Sequence, residues 1–170
     1  MAESYLILGG ARSGKSRRAL TLAQQIGEAR AYIATAEALD AEMAARIARH
    51  QQERDSGWIT IEAPIALNEA IQSLPSSIEV CLIDCLTLWL SNLMHHQKDV
   101  GVATNQLCDS IMSASLPIIL VSNEIGMGLV PDTPLGREFR DAQGRLNQAM
   151  AATCDRVEFV AAGLPLTLKG

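Results

Sequence analysis

Ser4-Tyr5-Leu6-Ile7-Leu8-Gly9-Gly10-Ala11-Arg12-Ser13-Gly14-Lys15-Ser16 runs from an apolar strand-forming stretch into a glycine-rich turn. Arg17 to Ile26 continues as a helix-forming segment that ends at Gly27. Gly9, Gly10, Ala11, Arg12, Ser13, Gly14, Lys15 and Ser16 satisfy the spacing G-x-x-x-x-G-K-[ST] at each fixed position. The chemistry requires this order of strand, turn and helix. Glycines let backbone N–H groups close around phosphate oxygens, and the start of a helix adds partial positive charge. Lys15 is placed to reach the terminal phosphates, and the Ser16 hydroxyl to ligate Mg²⁺. The segment predicts a nucleoside triphosphate as ligand and leaves the reaction open.

Working outward, further strands are predicted at Ala31–Ala34, Trp58–Ile61, Val80–Asp84, Ile118–Val121 and Val157–Val160. Several are continuous apolar runs, the pattern of strands buried on both faces. Helices are predicted between most of them, at Ala41–Arg54, Ala66–Ser73, Leu86–His95, Ala103–Ala114 and Leu135–Cys154. Such alternation implies an α/β fold, a mainly parallel sheet covered by helices on both faces. Ligands of such sheets bind beyond the carboxyl ends of the strands, so residues just after each strand are the ones to inspect.

The 170 residues read as a single nucleotide-binding catalytic domain, 1–170, with no repeat, low-complexity tract or linker. The net charge of −5 argues against a nucleic-acid or anionic-membrane partner. No apolar stretch approaches the roughly 18 residues of a membrane span, and there is no signal-peptide layout, so a cytoplasmic location is expected. Cys81, Cys85, Cys108 and Cys154 form no C-x-x-C pair and are expected to be buried free thiols.

Two carboxylates follow strands. Asp84 ends the run from Val80, where an acid can hold Mg²⁺ beside Ser16, usually through water. Glu124 follows Ile118–Val121, Ser122 and Asn123; it either positions an attacking hydroxyl or water, or only satisfies the adjacent turn. The stretch Asp40 to Arg54 holds a more distinctive group. Asp40 suits an N-cap, and Arg46, His50 and Arg54 form an i, i+4, i+8 row. Two neighbouring cations oppose protonation of His50 and keep a ring nitrogen free for attack on phosphorus. The arginines suit phosphate oxygens that gain charge in the transition state. On spacing alone, a solvated basic face is the competing reading.

Taken together, Gly9–Ser16, Ala34-Thr35-Ala36-Glu37, Asp40, Glu42-Met43, Arg46-Ile47, His50, Asp84-Cys85-Leu86-Thr87-Leu88-Trp89 and Ser122-Asn123-Glu124-Ile125-Gly126-Met127-Gly128 resemble the bifunctional adenosylcobinamide kinase / adenosylcobinamide-phosphate guanylyltransferase family. The likeness continues through Gly136-Arg137, Phe139-Arg140-Asp141, Gly144, Asn147-Gln148 and Ala162-Gly163-Leu164-Pro165. It implies a RecA-like P-loop NTPase core, assembled as a homotrimer. It implies phosphorylation of adenosylcobinamide by ATP or GTP, then transfer of GMP from GTP through a covalent histidine to give adenosylcobinamide-GDP. The family's guanylylated histidine falls on His50. Its nucleotide contacts fall on Gly9 to Ser16, on Ala34, Thr35 and Ala36, on Gln51, Gln52, Glu53 and Arg54, and on Glu62 and Asp84. Family members carry a second histidine before the modified one; here that position is Arg49. Two rival readings stay open from the residues alone. A kinase of another pathway accounts for Lys15, Ser16 and Asp84 but not for the arginine–histidine row. A switch GTPase is expected to show Asn-Lys-x-Asp, and Ser122-Asn123-Glu124-Ile125 departs from it.

Overall fold

The computed structural model describes residues 2–37 and 56–170. The predicted helix Ala41–Arg54 therefore lies outside the described residues, and with it Arg46, His50, Gln51, Gln52, Glu53 and Arg54. In chain order the described elements are β1 (Ser4–Gly9), α1 (Lys15–Ile26), β2 (Arg30–Ala34), β3 (Trp58–Glu62), α2 (Leu67–Gln72), β4 (Val80–Asp84), α3 (Leu86–His95), α4 (Val100–Ser113), β5 (Ile118–Asn123), α5 (Pro134–Thr153), β6 (Arg156–Ala161) and β7 (Leu164–Lys169).

The strands form one seven-stranded sheet in the order β3-β2-β4-β5-β1-β6-β7. Every pairing is parallel except that of β7 with β6. The pleat sends alternate residues to opposite faces. Leu6, Leu8, Ile33, Ile83 and Leu120 pack with Leu67, Trp89, Leu93, Leu107 and Leu146 from α2 to α5. Tyr5, Ile7, Leu82, Ile119 and Val121 pack with Ala19, Leu22 and Ala23 of α1. This is the expected α/β sandwich, and burial on both faces explains why the strands read as unbroken apolar runs.

The structure differs from the sequence reading at several ends. α1 starts at Lys15, inside the phosphate loop, because that loop winds directly into the helix. α4 starts at Val100, three residues before the expected Ala103, because the Asp99 carboxylate accepts from Val102 N at 2.9 Å and caps the helix there. In α5, Pro134 takes the first helical position behind Thr133, whose hydroxyl accepts from Gly136 N at 3.1 Å. β7 was not expected at all. The turn Ala162-Gly163, both at positive φ (51° and 79°), folds it back antiparallel onto β6.

Candidate functional site at the carboxyl edge of the sheet

The phosphate loop leaves β1, which lies between β5 and β6, at this edge. Gly14 adopts φ 96°, ψ 5°, a conformation open to glycine and strained for any L side chain. A Cβ at Gly9 would collide with the Ser13 hydroxyl and the Val160 carbonyl. The loop is held from two sides. Glu124 N donates to Gly9 O at 3.0 Å, and Gly163 N donates to Ser13 O at 2.7 Å. The second bond comes from the unexpected β6–β7 turn, whose Gly163 Cα lies 3.0 Å from where a Cβ on Gly14 would sit. The C-terminal hairpin is thus a wall of the phosphate loop. Its sequence signal was the Ala162-Gly163 pair, a two-residue hairpin turn.

Lys15 is buried, and its Nζ donates to Gly10 O at 3.0 Å, so the ammonium points back into the loop that it closes. It also lies near β4. Burial pushes the Cys85 thiol up to about 11; the Asp84 carboxylate adds to that rise and the Lys15 ammonium opposes it. Strand register completes the row, because Glu62 pairs with Ala34, Ala34 with Asp84, and Asp84 with Val121. Paired residues share a sheet face, and Val121 faces α1. Ala34, Glu62 and Asp84 consequently line up on the α1 side, the side from which Lys15 and Ser16 begin their helix.

Thr35 follows that row but serves differently. It is fully buried, and its hydroxyl donates to Cys85 O (2.7 Å) while accepting from Cys85 N (2.8 Å). Its proton is committed to the protein. Glu124 is likewise occupied: its carboxylate accepts from Gly126 N, which matches the turn-satisfying alternative. Ser122 is buried with Gln143 and Asn147 of α5. Gln143 Nε2 donates to Ser122 Oγ (3.0 Å) and Ser122 Oγ donates to Asn147 Oδ1 (2.7 Å). Asn147 Nδ2 then donates to Asn123 O (3.1 Å), which pins the end of β5 from below. Past Glu124, the loop Gly126–Pro131 exposes Met127, Leu129 and Val130 to solvent, Leu129 almost completely. Arg137 Nη1 holds its far end through Pro131 O (2.9 Å) and Asp132 O (3.0 Å). His95 and His96 are exposed, and His96 Nε2 lies 3.2 Å from a Glu37 oxygen. Three cysteines are buried as expected; Cys108 is half-buried.

A family model described as cobinamide kinase / cobinamide phosphate guanyltransferase matches residues 5–168. The chain belongs to that family. It is therefore an enzyme with cobinamide kinase and cobinamide phosphate guanyltransferase as its activities. This kinase and guanyltransferase is 47% identical over 167 residues to the bifunctional adenosylcobalamin biosynthesis protein CobP of Pseudomonas aeruginosa, covering 97% of this chain and 96% of that one. It is 39% identical over 181 residues to the bifunctional adenosylcobalamin biosynthesis protein CobU of Escherichia coli, covering 96% and 98%. Among solved structures, the flagellar accessory protein FlaH of Methanocaldococcus jannaschii matches with a TM-score of 0.56 at 12% identity, over 98% of this chain and 78% of that one. A Pyrococcus horikoshii protein, PH0250, matches with a TM-score of 0.57 at 8% identity, over 99% and 86%. At such identities the likeness speaks to the fold alone, the expected mainly parallel sheet covered by helices on both faces.

Proposed function

We propose that the two activities run in sequence at the carboxyl edge of the sheet, with His50 as the covalent carrier of GMP. In the first step the hydroxyl of the aminopropanol arm of adenosylcobinamide attacks the γ-phosphorus of ATP or GTP. A new P–O bond forms, the bond to the β-phosphate oxygen breaks, the nucleoside diphosphate leaves and the hydroxyl proton is lost. In the second, a neutral ring nitrogen of His50 attacks the α-phosphorus of GTP and pyrophosphate leaves. A phosphate oxygen of adenosylcobinamide phosphate then displaces the histidine, giving adenosylcobinamide-GDP and free His50.

The glycine-rich loop with Lys15 closed against Gly10 O at 3.0 Å, and Asp84 ending β4 on the α1 side of the same sheet edge, carries the phosphate-binding part of this reading. The backbone of Gly9 to Ser16 cradles the phosphates, and Lys15 balances charge on the transferring group. Ala34 and Glu62 edge the nucleotide by virtue of the register row and Ala36 by the family resemblance, while the buried Thr35 side chain supports that edge from within the protein through Cys85. Arg46 and Arg54 are assigned to phosphate oxygens from their spacing about His50, and Gln51, Gln52 and Glu53 to the nucleotide from the family resemblance. The donors Ser16 and Asp84, one hydroxyl and one carboxylate, fit Mg²⁺, which takes few protein oxygens when phosphates supply the rest. Bound there, Mg²⁺ neutralises charge across the phosphates.

The corrinoid is large and flat, and we assign its apolar contact to the exposed loop Gly126–Pro131, which starts at the strand bonded to the phosphate loop. A homotrimer is assigned from the family resemblance, and the exposed Leu164 and Leu166 of the edge strand β7 offer an apolar surface for a neighbouring subunit. A single domain over 1–170 and a cytoplasmic location complete the assignment; among the described residues no helix is long and apolar enough to cross a membrane. GTP labelled at the α-phosphate tests the carrier. An acid-labile label that stays on the wild-type protein and is lost in His50→Ala is expected. No label, or equal label on the variant, overturns the assignment of His50.

A further inference from the structure

The Asp84 carboxylate can serve phosphate chemistry only if the backbone that carries it is held still where β4 ends. Past that point the chain leaves the sheet ladder. Cys85 is the first residue outside the strand, and both of its backbone polar groups are bonded to one side-chain atom, Thr35 Oγ1, at 2.8 and 2.7 Å. Thr35 is itself the first residue beyond β2. Its N–H reaches Asp84 O at 3.4 Å, and its carbonyl accepts from Asn92 Nδ2 at 2.7 Å. The same amide nitrogen donates its other proton to Pro64 O at 2.9 Å. Asn92 sits on α3, the helix that Cys85 begins.

These bonds close a circuit: Asp84, Cys85, along α3 to Asn92, to Thr35, and back to Cys85. It ties together the exits of β2 and β4 and the chain after β3. Both protons of the Asn92 amide and the single proton of the Thr35 hydroxyl are spent inside it. Thr35, Cys85 and Asn92 are nine-tenths or more buried, so a bond lost there leaves a buried polar group unpaired. Asn92 reaches the circuit from α3, whereas register puts Asp84 on the α1 side with Ala34 and Glu62. The clamp thus holds the backbone at the end of β4 through Cys85, the residue next to the one that carries the carboxylate.

We infer that Thr35 and Asn92 are positioning residues for the Asp84 carboxylate, setting its aim at the metal-bound triphosphate and touching neither. This rests on the reading of Asp84 as metal acid given above. The test is Mn²⁺ binding to the protein with GDP, read from the loss of the free-ion electron paramagnetic resonance signal, alongside GDP affinity without metal. Asp84→Asn is the reference and is expected to weaken Mn²⁺ binding more than tenfold. Thr35→Val keeps the shape and removes the hydroxyl; about tenfold weaker Mn²⁺ binding is expected, with metal-free GDP affinity within twofold of wild type. Thr35→Ser restores the hydroxyl and is expected to bind Mn²⁺ within about threefold of wild type. If Thr35→Val does not fold, Asn92→Ala, which leaves the hydroxyl and unties the Thr35 carbonyl, takes its place with about a fivefold loss. Wild-type Mn²⁺ binding in the Thr35 or Asn92 variant, with the loss present in Asp84→Asn, overturns the clamp alone. Wild-type binding in Asp84→Asn overturns the metal-acid reading beneath it.

Discussion

Replacing Gly14 by alanine tests whether the C-terminal hairpin really walls the phosphate loop. Two costs add. Gly14 sits at φ 96°, ψ 5°, and an L side chain in left-handed space costs about 1–2 kcal/mol. The new methyl group would also lie 3.0 Å from Gly163 Cα, a backbone atom that cannot rotate away. Relief requires the hairpin turn to retreat, which strains the 2.7 Å bond from Gly163 N to Ser13 O, worth about 0.5–1.5 kcal/mol. The sum is about 2–3 kcal/mol, and a chain of this size loses about 2–4 °C per kcal/mol. Calorimetry should therefore show a Tm lower by about 5–10 °C, and isothermal titration a GDP affinity weaker by about tenfold. Gly10→Ala is the control: nothing lies within 4 Å of its added Cβ, so its melting point should stay within about 1 °C. If Gly14→Ala melts and binds like Gly10→Ala, the hairpin does not support the loop and the reasoning fails.

Three further outcomes follow from the same geometry. Burial pushes the Cys81 and Cys154 thiols up to about 12 and Cys85 to about 11, so a disulfide reagent at neutral pH should label Cys108 first in the native protein and all four thiols only after unfolding. Raised folded-state values also set the sign of alkaline stability. Those three thiols, with Tyr5 pushed up to about 12 by burial and its bond to Glu3, favour folding fully below about pH 9; denaturant midpoints should fall as pH rises through 11 to 12. Finally, Met127→Ser with Leu129→Ser should raise KM for adenosylcobinamide about tenfold or more while leaving the KM for nucleotide within twofold. An unchanged corrinoid KM removes that loop from the substrate site.

Most of the sheet was legible because burial on both faces writes itself as continuous apolar runs: Tyr5 to Leu8, Val80 to Ile83 and Ile118 to Val121 needed no periodicity to be read as strands. β7 escaped because its leucines are exposed and Pro165 interrupts the run, a residue tolerated at a sheet edge but read as a strand breaker. That omission mattered for the site, since the turn leading into β7 braces the phosphate loop. The row of Ala34, Glu62 and Asp84 was named residue by residue, but only strand register shows that the three share a face. The Thr35 hydroxyl was read as part of a nucleotide-binding stretch. Its partner lies 50 residues away, and no local pattern encodes such a bond. Glu124 stayed ambiguous for the opposite reason: its partner, Gly126 N, is two residues away, a contact short enough to be made by any turn.

The central claim, that one chain performs two separable transfers with His50 needed only for the second, is tested by product analysis. Adenosylcobinamide is incubated with GTP and either wild type or His50→Ala, and the corrinoids are resolved by chromatography and mass spectrometry. The account predicts adenosylcobinamide-GDP from the wild type and accumulation of adenosylcobinamide phosphate, with no GDP adduct, from the variant. Formation of adenosylcobinamide-GDP by His50→Ala at the wild-type rate would contradict it.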